Sequence, residues 1–437
     1  MASRRRETFC GSADHAIDRR GFLGAVAAGA SALAADMTVL DALKAPAVAA
    51  ELKRRQKHVI LLWLAGGASQ LETWDPKPGA ATGGPFRSIE TTVPGIRISE
   101  LMPRMAQRME HTCIIRSLNT KNGDHGGGAQ LMMRGRRDEA SLKYPDLGAV
   151  LARELGQRDS KVPDYVSFYS ATEGRYTPLG SAGFLGERFA PMELTTGMTP
   201  ENLHRLEQIS DLDHAQRGDL RDALSKRFAR GRSSTALQSH NVAYERVRGL
   251  MASESLFDIT KEPRQVRDRY GPTQFGEQAL VARRLIEAGV PFVRVARAWW
   301  DSHGQNFETH QELVPELDHV MATLLDDLAQ RGLLEDTLVI TLAEFGRTPT
   351  INPSLGRDHF ASAWSATISG GGIKGGSVYG KTDAKGATVA DGEIGAAELF
   401  ATIYQALGIN PQKEYMVGPR PVPLTDPGTE PIAEVLA

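Results

Sequence analysis

The chain has 437 residues, with 51 Lys and Arg against 53 Asp and Glu and a formal net charge of −2. Hydrophobic residues make up 41% and charged residues 24%, the composition of a globular protein with a full core, which excludes wholesale disorder, a collagenous chain and a multi-span membrane protein. The balanced charge also argues against a whole-surface attraction to nucleic acid or anionic lipid. The length allows two or three domains, or one large α/β domain.

Residues 1–20 are polar and basic and end in Asp18-Arg19-Arg20-Gly21-Phe22-Leu23, followed by a mildly apolar, Ala-rich run from Phe22 to Ala35. That run is too short and weak for a membrane-spanning helix of about 20 apolar residues. Paired arginines, then Gly-Phe-Leu and a weak apolar run, resemble a twin-arginine export signal. The expectation is a chain handled by the twin-arginine translocation machinery, periplasmic or extracellular, with no stable transmembrane span. Residues 1–49 read as signal and leader, with small-x-small cleavage points after Ala34 or Ala49, and 50–437 as the mature protein. Of the two cysteines only Cys113 would remain, most simply as a buried core thiol.

The mature chain alternates continuous apolar runs with helical periodicity. Strands are expected at His58–Leu64, Thr112–Arg116, Tyr165–Tyr169, Phe292–Val295 and Thr337–Leu342, with a further apolar run at Trp364–Ile368. Helices are expected at Asp146–Leu155, Gln274–Ala288, Glu312–Arg331 and Ala396–Leu407. Such alternation predicts an α/β fold: a mostly parallel sheet with helices on both faces. The charged stretch from about 199 to 268 reads as a helical insertion, and the Pro-rich last twenty residues as an extended surface run.

The unusual residues follow the strands. Strand 58–64 leads into Gly66-Gly67-Ala68-Ser69-Gln70-Leu71-Glu72-Thr73-Trp74-Asp75-Pro76-Lys77-Pro78, and strand 112–116 into a loop ending Asp124-His125-Gly126-Gly127-Gly128. Strand 292–295 leads into Trp299-Trp300-Asp301-Ser302-His303-Gly304, and strand 337–342 into Glu344-Phe345-Gly346-Arg347-Thr348-Pro349, with Gly356-Arg357-Asp358-His359 beyond. Ligands of open α/β sheets bind at the carboxyl ends of strands, and here four or five ends carry Asp, Glu or His beside Gly.

The chemistry these residues suggest is metal-assisted. Asp301, His303, Glu344, Asp358 and His359 offer three carboxylates and two imidazoles without thiolate, a set that suits one or two divalent ions of Zn, Mn, Fe or Mg. Two metals about 4 Å apart would clamp the attacking and leaving oxygens of a phosphate or sulfate ester. Asp124 and His125 are candidates for a further ligand, a nucleophile or an acid/base, with His125 ahead of Ser69 or Thr120. Arg347 and Arg357 suit an anionic group, and Ser69 and Gln70 on the first loop join them as candidate substrate contacts. Trp299 and Trp300 suit a sugar ring or an aromatic core.

The run Gly67-Ala68-Ser69-Gln70-Leu71 lacks the second Gly of a nucleophile elbow. Gly126–Gly128 is placed to open a helix, and Gly370–Gly376 reads as a tight hairpin.

Taken in order, these motifs closely resemble the bacterial domain-of-unknown-function family 1501, over about residues 58–410. That family is placed in the alkaline phosphatase and sulfatase superfamily, and its members commonly carry twin-arginine signals. The resemblance implies one large alkaline phosphatase-like α/β domain, with metals and a nucleophile that opens a helix. On that plan Asp301 and His303 look like one metal pair, Glu344 stands at the Asp of an Asp-His-Gly run, and His359 with Asp358 looks like the late histidine ligand. Three positions depart from it. Gly66-Gly67 stand where strand one of relatives ends in a metal-binding Asp, Phe345 replaces a His, and His125 falls at the nucleophile position. No Cys-x-Pro-x-Arg or Ser-x-Pro-x-Arg run exists, which speaks against a formylglycine sulfatase. Two functions follow as expectations. The first is an exported metal-dependent hydrolase of phosphate or sulfate esters, acting on a small molecule or a saccharide. The second is a binding or scaffold protein that keeps the fold without the catalysis.

Overall fold

The computed structural model describes residues 56–437, apart from 158–159, 161, 169–170, 173–174, 177–179, 196–197, 201–207, 231–243, 245–248, 250 and 252. The expected export signal lies outside the described residues, as does much of the 199–268 stretch. What is described of that stretch is helical, at Asp211–Ala229 and from Arg264, without a strand among the described residues.

Among the described residues, eight strands form the central sheet: β1 (His58–Leu64), β2 (Thr112–Leu118), β3 (Tyr165–Phe168), β4 (Met192–Leu194), β5 (Phe292–Arg297), β6 (Thr337–Leu342), β7 (Trp364–Gly370) and β8 (Ser377–Tyr379). Their spatial order is β8-β2-β7-β6-β1-β5-β3-β4. Only β7 runs against the rest, pairing antiparallel with β6 and β2; every other pairing is parallel. All seven residues of β1 and all six of β6 are buried. Successive side chains point to opposite faces, so both faces of the sheet centre are covered, as a parallel sheet requires.

The helices sit where local chemistry starts and stops them. Helix α1 (His125–Arg134) is capped by Asp124, whose carboxylate accepts from the Gly127 N–H at 2.7 Å, and ends at Gly135 with φ 75°. Helix α2 (Leu147–Leu155) is capped by Asp146 through the Ala149 N–H. Helix α3 (Gln274–Glu287) is capped by Thr273, and α5 (Ala396–Ala406) starts after Gly395. Helix α4 (Asn306–Gln330) begins six residues before the expected Glu312. Its first turns are polar, and Asn306 and His310 are buried in a polar site rather than in the core, so apolar periodicity could not mark them.

Two expectations are corrected. Gly370–Gly376 is not a tight hairpin: β7 and β8 flank β2 on opposite sides, so this segment crosses below the end of β2. It passes so close to neighbouring chain that a Cβ on Gly371 would lie 1.7 Å from the Glu335 carbonyl oxygen, and one on Gly375 2.1 Å from that of Glu110. The Pro-rich end is not a simple extended run either. It forms a hairpin, Glu414–Val417 with Arg420–Pro423, which buries Val422, and Leu436 bridges back to Ile373. Cys113 is a buried free thiol.

Candidate metal centre

Strands β6, β1 and β5 lie side by side and parallel, so their carboxyl ends deliver three loops to one place. These loops carry Glu344, Gly66 and Asp301. Helix α1 brings His125 at its first residue. A two-residue antiparallel ribbon, Gly346–Arg347 with His359–Phe360, folds His359 back over the same point.

The Asp301 carboxylate is the hub. Its Oδ2 lies 3.1 Å from His125 Nε2, and its Oδ1 lies 3.2 Å from His359 Nε2 and 3.1 Å from His303 Nε2. The His303 and His359 Nε2 atoms are 3.0 Å apart. The ligand atoms of His125, Asp301 and His359 all fall within 4.8 Å of one another. Arg347 reaches Asp301 Oδ1 at 2.5 Å from behind.

The far side of each imidazole fixes its tautomer. His125 Nδ1 meets Glu344 Oε1 at 2.8 Å, His303 Nδ1 meets Asp358 Oδ1 at 2.8 Å, and His359 Nδ1 meets the Gly123 carbonyl at 2.7 Å. Each of these partners accepts, so each Nδ1 carries a proton and each Nε2 is turned toward Asp301. Three ring nitrogens and a carboxylate then face one another at contact distance, an arrangement that repels itself unless cations or protons sit between them. An imidazole that donates its other N–H to a carboxylate or carbonyl is the usual way a protein orients a metal-binding histidine.

Protonation follows the same geometry. Burial works against a charge on His125, but the hydrogen bonds to Asp301 and Glu344 outweigh it and raise the imidazole to about 9. Burial likewise opposes ionisation of Asp301, yet bonds from His125 and His359 and the charge of Arg347 hold it well below the usual carboxylate range. Without metal the site therefore holds a proton on His125, which a cation must displace.

A rigid buried layer backs the cluster. Arg347 is fully buried and donates to the Gly66, Gly67 and Arg357 carbonyls as well as to Asp301. Gln70 clasps the Arg347 backbone on both sides. Arg357, also fully buried, pairs with buried Glu72 at 2.7 Å and donates to the Thr82, Thr348 and Pro349 carbonyls. Phe345 is buried beneath the imidazoles, its ring centroid 4.3 Å from that of His359 and 5.0 Å from that of His125. His310 Nε2 accepts from the Ser69 N–H at 2.9 Å while its Nδ1 donates to the Asn306 carbonyl, and burial lowers it to about 4.

The structure thus gathers Asp301, His303, His359 and His125, with Glu344 and Asp358 bonded to the outer side of two imidazoles. Asp124 is spent as the exposed cap of α1 and touches none of the cluster in any hydrogen bond described. Arg347 and Arg357 face inward, tied to Asp301 and Glu72, so neither presents its guanidinium to solvent. Ser69 and Gln70 are buried behind the site rather than at its mouth. Sequence reasoning missed the supporting part of His310, because a lone histidine in the polar first turns of a helix carries no local signal.

Gly66 explains the acid missing from strand one. It has φ +113°, and a Cβ there would lie 2.5 Å from the Asp301 nitrogen and 2.9 Å from the Trp300 carbonyl carbon. The backbone that carries Asp301 occupies the space a side chain would need. The Gly66 N–H instead donates to Glu344 Oε1 at 2.8 Å.

A mostly parallel α/β sheet with a His/Asp cluster at its strand ends defines the class: an α/β protein with a metal-type site at the carboxyl edge. The chain belongs to the protein family of unknown function DUF1501, whose model matches residues 56–436. No curated protein matches it. Among solved structures it is similar to the PsFucS1 sulfatase of Pseudoalteromonas sp., at 11% identity over 82% of this chain and 69% of that one, with a TM-score of 0.41. It is similar also to the lipoteichoic acid synthase LtaP of Listeria monocytogenes, at 9% identity over 84% and 75%, with a TM-score of 0.39. A mutant TAB5 alkaline phosphatase with bound Mg gives 12% identity over 82% and 99%, with a TM-score of 0.36. These TM-scores all lie below 0.5, a loose likeness that leaves the chemistry to the residues themselves.

Proposed function

We propose that this protein is an exported metal-dependent hydrolase of phosphate or sulfate esters. The observation that carries the reading is the convergence of donor atoms: His125, His303 and His359 all turn Nε2 to the Asp301 carboxylate, with Nδ1 of each engaged outward. Nitrogen and oxygen donors without sulfur suit Zn, Mn, Fe or Mg. Bound there, a divalent ion supplies Lewis-acid chemistry toward an ester oxygen.

His125, Asp301 and His359 would hold the ion, and His303 stands at the open side of the group. Arg347 fixes the Asp301 carboxylate, and Glu344 fixes the His125 ring. His303 is half-exposed and bonded to Asp358 at the rim, which places it to hold or pass a proton beside an incoming substrate. Phe345 and the buried Arg347 layer keep water from the back of the site. Export rests on the Arg19-Arg20 signal, and among the described residues no helix is long and apolar enough to cross a membrane.

The test is metal content by plasma mass spectrometry on protein from its native export route, followed by an ester screen. A bound divalent ion, lost together with turnover in Asp301→Ala and His359→Ala, supports the reading. Protein that neither carries nor takes up metal refutes it. That outcome would favour a binding protein on the same scaffold, a reading to which Gly66 and Phe345, standing where relatives place ligands, lend support.

A further inference from the structure

Beside the cluster lies a cavity of 400 Å³ whose wall includes Asp301 and His303, a size that takes a small ligand. The same wall carries Trp299, Arg297, Thr309 and Glu312. Trp299 is exceptional in two ways. Its backbone has φ 76°, a region that bulky L-residues avoid and that glycine or asparagine would occupy freely. The residue is 57% exposed, whereas Trp63, Trp74, Trp300 and Trp364 are all buried.

The turn itself has a structural purpose: it lets the Trp300 N–H reach the Ala65 carbonyl and carries Asp301 over Gly66. That purpose needs a left-handed residue and does not need an indole. A strained backbone carrying a large, wet aromatic ring next to a reactive centre is what a ligand platform looks like before its ligand arrives. The chemistry of the remaining wall selects the ligand. Thr309 and Glu312 lie three apart on α4 and so on one face, and Arg297, held by Glu316 at 2.7 Å, adds a fixed guanidinium. A lipid or an aryl group would find too many polar groups here. A pyranose fits both halves, its C–H face against the indole and its hydroxyls toward Glu312 and Thr309.

We infer that this cavity is a saccharide subsite, with Trp299 as the stacking platform, which makes the ester substrate a sulfated or phosphorylated sugar. The inference rests on the hydrolase reading for the ester, but the sugar site has its own readout. Trp299 is the one solvent-exposed tryptophan of the five, so acrylamide quenching of intrinsic fluorescence reports on it selectively. The probes are N-acetylglucosamine 6-sulfate, galactose 6-sulfate and glucose 6-phosphate, each beside its unsubstituted sugar, with phenyl phosphate as the sugar-free ester.

The expected result is protection from quenching by at least one sugar ester. In calorimetry, Trp299→Gly, which also relieves the strained φ and so folds, should weaken that binding about tenfold, and Trp299→Phe should keep most of it. Turnover of phenyl phosphate with no protection by any sugar probe overturns the saccharide site and leaves the hydrolase. Protection that persists in His359→Ala, with no ester cleaved by the wild type, overturns the hydrolase and leaves the sugar site. Sugar-ester binding undiminished by Trp299→Gly in calorimetry overturns the role of the indole.

Discussion

Gly66→Ala puts the geometry of the site to its hardest test. The added methyl would stand 2.5 Å from the Asp301 nitrogen and 2.9 Å from the Trp300 carbonyl carbon. Both are backbone atoms, so no side chain can swing aside. Holding an L-residue at positive φ costs about 1–2 kcal/mol, and forcing an extra carbon into packed surroundings about 1–3 kcal/mol. The expected loss is therefore about 2–5 kcal/mol. The strain is relieved by moving Asp301, so metal retention should fall with stability. Urea denaturation of chelated protein measures the first effect apart from ligand linkage, and plasma mass spectrometry of untreated protein measures the second. A variant within about 0.5 kcal/mol of wild type and fully metallated would refute the reasoning. The space at residue 66 would then be open, and the absence of an acid there would need another cause.

Three further outcomes are expected. Glu344→Gln keeps the volume but removes the carboxylate that fixes the His125 tautomer, so metal affinity should drop about 10–100-fold; a competition titration against a chromogenic chelator that finds wild-type affinity would contradict that role. Arg357→Met strands the fully buried Glu72 carboxylate, and should cost about 3–5 kcal/mol in denaturant unfolding; a loss below about 1 kcal/mol would show that the pair is not held dry. His310, lowered to about 4 by burial, stays neutral in the folded chain while the unfolded chain protonates near 6.5. Its contribution is therefore complete above pH 6.5 and is lost as pH falls toward 4, by about 3 kcal/mol. His310→Gln should flatten stability across that window, and parallel profiles for the two proteins would sink the assignment.

The sheet was legible because its central strands are buried on both faces. Continuous apolar runs such as 58–64 and 337–342 leave little choice of element, and both strands have the expected bounds. The site was legible in outline because parallel strands bring their carboxyl ends together, so Asp301, His303 and His359 were sure to be near neighbours once the order of strands placed β5 and β6 beside β1. Direction was not legible. Nothing local separates an arginine that faces a substrate from Arg347, buried with its guanidinium on Asp301. Asp124 and Asp358 look alike as Asp-His pairs, yet one caps a helix and the other holds His303. The start of α4 was hidden for a related reason: Asn306 and His310 are buried by polar partners, and hydrophobic period cannot report polar burial.

The same residues bear on how many metals the site takes. A second ion beside the first needs its own carboxylates and an open volume. Gly66 cannot carry a side chain, and the buried Phe345 ring fills the space beneath His359 and His125. Glu344 is turned to the Gly66 N–H and to His125, with its second oxygen buried and unpartnered. We therefore expect one equivalent of divalent metal. Charge makes that one ion decisive: Arg347 and the proton on His125 balance Asp301 and Glu344, so the inner site is neutral until a dication displaces that proton and turns it cationic, as an anionic ester requires. In a stepwise Zn titration, one site should fill, and substrate-analogue binding by inorganic phosphate should appear over the same equivalent. Two tight equivalents lost together in Asp301→Ala would show that the ring of Phe345 does not close the second position, and phosphate binding that precedes the metal would overturn the charge argument.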